Sequence, residues 1–238
     1  MLKFRIFLTM SLFFTMLAFK ALGGGHDWKE NQIKDALLAA PPVITDTATI
    51  YGWDESQGGK MTLLRLGTGE YTCLATGFSS LRLGRPIEPV PSPFCLDQNA
   101  WAFFSAWLNE KNPMKPSKPY PTAPGMAWML AGMAVSEGMV DLGGDGTIEI
   151  FERDSGPKMV KISPHIMILP LPVGKSGAMS TKYDPANPFE SWIMAAKTPI
   201  EHLMIHMSDE GADAIMNATN RPDGLKFSKA IFGFIRYS

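Results

Sequence analysis

The chain carries two cysteines, Cys73 and Cys95, and the segment it opens with decides their chemistry. Met1 to Arg5 supplies two cations, Lys3 and Arg5, and Ile6 to Phe19 is then apolar apart from Thr9, Ser11 and Thr15. That run falls short of the ~20 apolar residues that span a bilayer. With Ala21-Leu22-Gly23 behind it, it reads as a signal peptide over residues 1–23, cleaved after Gly23. Lys20 beside that point leaves an uncleaved anchor as the alternative, and no cysteine follows the run to carry a lipid. An exported chain, periplasmic or extracellular, folds where thiols oxidise, so Cys73 and Cys95 are expected to pair. Closing a loop of about twenty residues contributes roughly 3 kcal/mol, mostly by constraining the unfolded chain. A reactive or metal-binding thiol would instead need a reducing compartment or an activating neighbour.

Removal of the leader shifts the charge balance. The chain holds 22 basic and 23 acidic residues; without Lys3, Arg5 and Lys20 the basic count is 19, a net charge of −4. No basic stripe survives, which argues against nucleic acid as a partner. The expected product is soluble, without a stable membrane anchor, and open to a protein or small-molecule partner. With 45% hydrophobic and 19% charged residues over 238 positions, it can bury a sizeable core.

Local patterns describe a single α+β domain over 24–207, mainly antiparallel sheet with two or three helices packed on it. Ile33, Ala36, Leu37 and Ala40 share a helical face within Trp28–Ala40, which Pro41-Pro42 ends. Ala48–Trp53, Lys60–Leu66 and Tyr71–Thr76 read as a three-strand antiparallel meander, with Gly67 and Gly69 as turn residues and not a dinucleotide fingerprint. After the proline-rich 77–93 stretch, Asp97 can cap a helix to about Asn109, with Trp101, Phe104 and Leu108 on one face and Trp107 beside it. Such an aromatic helix can line a ligand pocket, although it reads first as core. Gly125–Met133 is a continuous apolar run suited to a central strand. His165, Met167 and Leu169 then share one face of a strand. Trp192-Ile-Met194 is a further buried candidate. From Ser208 the chain turns acidic and leads into a 208–238 tail with Phe227, Ile231, Phe232 and Phe234, read as a short helix, a poorly ordered end or a partner-binding segment.

Two stretches carry possible chemistry. Asp141–Glu152 resembles an EF-hand calcium loop, with Asp141 at its first position, Asp145 at the fifth, Gly146 at the sixth and Glu152 at the twelfth. Gly143 occupies the third position, where an oxygen ligand belongs, and Gly156-Pro157 cuts the exit helix short. The plainer reading is a Gly-Gly-Asp-Gly turn feeding a strand, Thr147–Phe151, paired with Met159–Ile162. The other stretch is Thr198–Met207. Thr198-Pro199-Ile200-Glu201 has the form of a helix start, which would set His202 and His206 side by side as a metal bite. A strand would instead hold them ~13 Å apart along its axis.

Several segments together resemble an uncharacterised family of exported bacterial proteins. They are Tyr71-Thr-Cys73, Phe94-Cys95-Leu-Asp97, Trp101, Trp107-Leu-Asn109, Gly125-Met-Ala-Trp-Met-Leu130, Pro164-His165-Ile-Met-Ile168, Trp192-Ile-Met194, Thr198-Pro199 and His202-Leu-Met204. The resemblance spans most of 40–207 and implies no activity. It implies a strand at Thr198–Met207, with His206 standing where relatives carry a proline, and it moves interest to His165 with His202.

The default expectation is a non-catalytic structural or accessory protein. If the strands bearing them are neighbours, His165, Met167, His202 and Met204 can converge on one face, and imidazole with thioether suits copper, particularly Cu(I). A weak calcium site at Asp141, Asp145 and Glu152 is the other metal reading. An enzyme would have to use His165 and His202 as an acid–base pair beside Asp97, because the hydrolase, P-loop, zincin and Cys-x-x-Cys motifs are all missing.

Overall fold

A computed structural model describes residues 27–78, 91–136, 159–171, 177, 179–184, 186–187 and 189–218. The leader over 1–23, the calcium-like loop over 141–152, the strand expected at 147–151 and the tail beyond 218 lie outside these residues.

Helix α1 (Asp27–Ala36) runs into a 3-10 turn, Leu37–Ala39, and stops ahead of Pro41. Ala36, Ala39 and Ala40 are fully buried and Ile33 and Leu37 pack on the same cluster, so the face set by the helical spacing is the one that docks. A single turn, α2 (Pro42–Thr45), leads to a hairpin of β1 (Thr49–Asp54) and β2 (Lys60–Arg65). The meander then fails. β3 (Thr72–Leu74) pairs parallel with β1, on the side away from β2. The loop between them explains the departure. The amides of Thr68 and Gly69 both donate to the Thr47 carbonyl, at 2.9 and 2.8 Å, so the chain crosses the start of β1 in backbone contact. A Cβ at Gly67 would lie 2.3 Å from the Ala48 carbonyl carbon, and glycine is what permits the crossing.

β4 (Phe94–Leu96) pairs antiparallel with β3, setting Cys73 directly opposite Cys95, and the two form the expected disulfide. Asp97 caps α3 (Gln98–Leu108) by accepting the Ala100 amide at 2.8 Å through Oδ1. Its Oδ2 accepts the Met126 amide, also at 2.8 Å, from β5 (Gly125–Met129). One carboxylate thus joins the helix start to the neighbouring strand. The long strand expected over Gly125–Met133 is broken, because the chain turns at Gly132, whose φ of +70° suits glycine. Met133 then starts β6 (Met133–Ser136), which pairs with β7 (Met159–Ile162) in a separate two-stranded sheet.

β8 (His165–Leu169), β9 (Trp192–Met194) and β10 (His202–His206) complete the main sheet, and α4 (Asp209–Ala218) turns the start of the acidic tail into a helix. The eight strands lie in the order β2-β1-β3-β4-β5-β8-β10-β9, antiparallel except at β1–β3. The molecule is therefore an α+β domain with one disulfide. One core cluster joins α1 to Ile50, Cys73 and Cys95 on one side of the sheet. A second packs α3, through Ala100, Phe103 and Phe104, on Leu74, Leu96, Ala127 and Leu169 of the other. Among the described residues no helix is long and apolar enough to cross a membrane.

The cross-link yields a direct prediction. Replacing Cys73 and Cys95 together by alanine should lower the unfolding free energy by roughly 3 kcal/mol. The shift in urea midpoint at constant slope measures it, and an unchanged midpoint would show that the bond adds nothing.

Candidate functional site

The register of β8 between β5 and β10 sorts side chains into rungs on the sheet face that α3 covers. Met129, His165 and His206 share the first rung, and Ala127, Met167, Met204 and Trp192 the second. The third carries Gly125 with Leu169 and His202 with Met194. His165, Met167, His202 and Met204 thus do share one face. Their neighbours differ from the expectation, because antiparallel pairing sets His165 against His206, ring centroids 5.3 Å apart, and leaves His202 near the opposite end of β8.

Each of the histidines His165, His202 and His206 has a defined proton. Trp192 Nε1–H donates to His206 Nε2 at 2.8 Å. Indole only donates, so the His206 proton sits on Nδ1 and is given to Ser163 Oγ at 2.9 Å. His165 donates Nδ1–H to the Ser163 carbonyl at 2.7 Å, and its fully buried Nε2 has no hydrogen-bond partner among the described residues. His202 donates Nδ1–H to the Ile200 carbonyl at 2.8 Å, which puts its lone pair on Nε2. Burial disfavours the imidazolium at all three positions. It pushes His165 from 6.5 down to about 3, with His206 and His202 adding to the fall, and His206 to about 4. His202 is also lowered, by burial first.

The turn ahead of His202 is unusual. Ala195 and Lys197 hold φ of 54° and 63°, a left-handed conformation that costs a non-glycine residue on the order of 1 kcal/mol or more. Thr198 Oγ1 donates to the Ala195 carbonyl at 2.6 Å, and the fully buried Glu201 carboxylate accepts the Lys197 amide. The Thr-Pro-Ile-Glu signature therefore closes one turn, and a strand follows where a helix would have grown. This buried glutamate is a site residue the sequence reading missed; only its spacing from Thr198 pointed to it.

Beside this turn lies a cavity of about 120 Å³ between α3 and the sheet. Phe78, Phe94, Phe104 and Trp107 form an aromatic wall, with Leu96 and Leu169 below. Met129, Met133, Met167 and Met194 contribute four thioethers, and Ser92 and His202 are the polar residues of the lining. Met167 and His202 were expected at a site; Met129, Met133 and Met194 were not, since no spacing reveals which strands adjoin. Met204 is fully buried in the core and, like His165, does not line the cavity. Asp97 uses both carboxylate oxygens on backbone amides and is not free to assist a histidine. Among the described residues no three His, Cys, Asp or Glu side chains are placed to share an ion.

The lowered imidazole pKa values predict an acid-sensitive fold. Between pH 6.5 and about 4 the unfolded chain binds protons at His165 and His206 that the native state refuses. Stability is therefore fully present above pH 6.5 and falls with acidification, by ~1.4 kcal/mol per pH unit for each group. Urea midpoints from pH 7 to 4.5 should follow this slope, and His165→Gln should flatten it. A midpoint indifferent to pH would show that these rings titrate normally.

No protein-family model, curated protein or solved structure matches this chain.

Proposed function

We propose that this is an exported, non-catalytic accessory protein that binds a small apolar guest or a soft cation in the cavity under α3. The cavity itself carries the reading. Its walls are aromatic rings, aliphatic side chains and thioethers, with one hydroxyl and one imidazole. Ligand sites are usually built this way, as apolar concavities with a few placed polar groups. Its volume approaches the ~150 Å³ of an apolar protein cavity that admits benzene. Phe94, Trp107, Met129, Met167, Leu169, Met194 and His202 all take part in the strands and helix that frame it.

A hydrolase reading through His165 and His202 has less support. The two rings occupy different rungs, His165 is sealed from solvent, and the carboxylate of Asp97 is engaged elsewhere. A strained turn that aims one histidine at an apolar cavity suits binding better than proton transfer.

Toluene provides the test. With methionine methyl groups labelled, titration should move the resonances of Met129, Met133, Met167 and Met194 saturably, with a dissociation constant on the order of 1 mM. Met204, buried outside the lining, should move less than these four. Shifts that fail to saturate, or that spread evenly over all methionines, would refute the cavity as a binding site.

A further inference from the structure

The guest can be narrowed from the donor atoms, an inference that rests on the cavity being a binding site. The geometry points to a Cu(I) site at its sheet-facing end, formed by the thioethers of Met133, Met167 and Met194 with Nε2 of His202. Four observations converge on it.

First, placement. His202 and Met194 are directly opposed on β10 and β9, which sets their Cβ atoms ~4.5–5.5 Å apart. Met167 stands diagonally across on β8, ~7–8 Å away and within reach of a long side chain. The turn at Gly132 and the pairing of Met133 with Ile162 bring a third thioether to the same cavity from the second sheet.

Second, the imidazole is prepared as a ligand. Its Nδ1–H is tied to the Ile200 carbonyl, the arrangement that orients ligating histidines and leaves Nε2 as the donor. With the proton held on Nδ1, Nε2 keeps the free lone pair that a metal ligand needs. The strained turn at Ala195–Lys197, with Glu201 buried inside it, holds that carbonyl in place.

Third, the ligand set is selective. Three soft thioethers and one imidazole, all neutral, are a set that favours Cu(I) over calcium, magnesium or zinc. Among the described residues no cluster of three His, Cys, Asp or Glu competes.

Fourth, no thiol competes for the ion. Both cysteines of the chain are spent in the Cys73–Cys95 bond, so thioethers are its remaining sulfur ligands. Thioethers also keep their lone pairs where thiols would be oxidised.

This set differs from the one expected by sequence. Met204 and His165 leave it, Met133 and Met194 enter, and the experiment separates the two. The full chain is titrated anaerobically with Cu(I) against a chromophoric Cu(I) chelator. One ion per chain is expected, with sulfur and nitrogen scatterers in X-ray absorption at the copper edge. Met167→Leu and Met194→Leu preserve volume, so the fold is retained while each weakens binding at least tenfold. His202→Leu should abolish it, whereas Met204→Leu should leave it unchanged. Absence of Cu(I) binding, or an affinity in the Met167→Leu and Met194→Leu proteins equal to that of the unsubstituted chain, would overturn the assignment. Toluene binding without Cu(I) binding sinks the metal site alone; loss of both sinks the cavity reading as well.

Discussion

The antiparallel register of β10 on β8 is the constraint from which the site follows. Leu203 opposes Ile168 and His206 opposes His165, and the period of two then assigns every neighbouring side chain to a face. A slip of one residue would exchange the faces. Here the exchange would bring Ile166, Ile168, Leu203 and Ile205 under α3 and send the histidines and methionines outward. Both faces of these strands are apolar, so hydrophobic pattern alone specifies the register weakly. Polar pairs at the strand ends supply what the pattern lacks. His206 is held between Trp192 and Ser163, His165 bonds the Ser163 carbonyl, and Met207 donates to Pro164. At the far end Leu171 donates to the Glu201 carbonyl. Breaking any of these would leave a buried polar group unpaired, at ~1–3 kcal/mol each.

The cavity depends on how tightly α3 is held at one end and how loosely it fills at the other. Near its start the helix touches the sheet backbone: a Cβ at Gly125 would lie 2.1 Å from the Ala100 amide nitrogen, and Asp97 binds both elements. Farther along, Phe104 meets Phe78 and Phe94, and Trp107 meets Phe78 and Phe104, edge-on or tilted, with centroids 4.7 to 5.7 Å apart. Rigid rings packed against flexible methionines do not close the space completely. Methionine fills irregular gaps and can also move aside for a guest, so the same side chains serve as core and as lining.

Parts of this arrangement are legible in local sequence. The face of α1, the cap at Asp97 and the Cys73–Cys95 pair follow from spacing and chemistry that act within a few residues or through a single covalent bond. Other readings were overruled. The capping pattern at Thr198–Glu201 does form its local hydrogen bonds, yet only one turn results, because the residues after it gain more by pairing in the sheet than by extending a helix. The meander gave way to a parallel β1–β3 pair, since two glycines let the connecting loop cross a strand end. The apolar run at Gly125–Met133 looked uniform, and Gly132 divides it between two sheets.

What the sequence alone determined is therefore short-ranged: which residues turn, which cap, which alternate, and that two sulfurs are available to bond. The α+β class follows from those. Which strands adjoin, and so which histidine meets which methionine, was decided only by the tertiary structure. Cross-strand neighbours such as His202 and Met194, or His165 and His206, are set by backbone pairing between segments distant in the chain. Periodicity tells which face a side chain takes within its own strand; it carries no information about the strand next door.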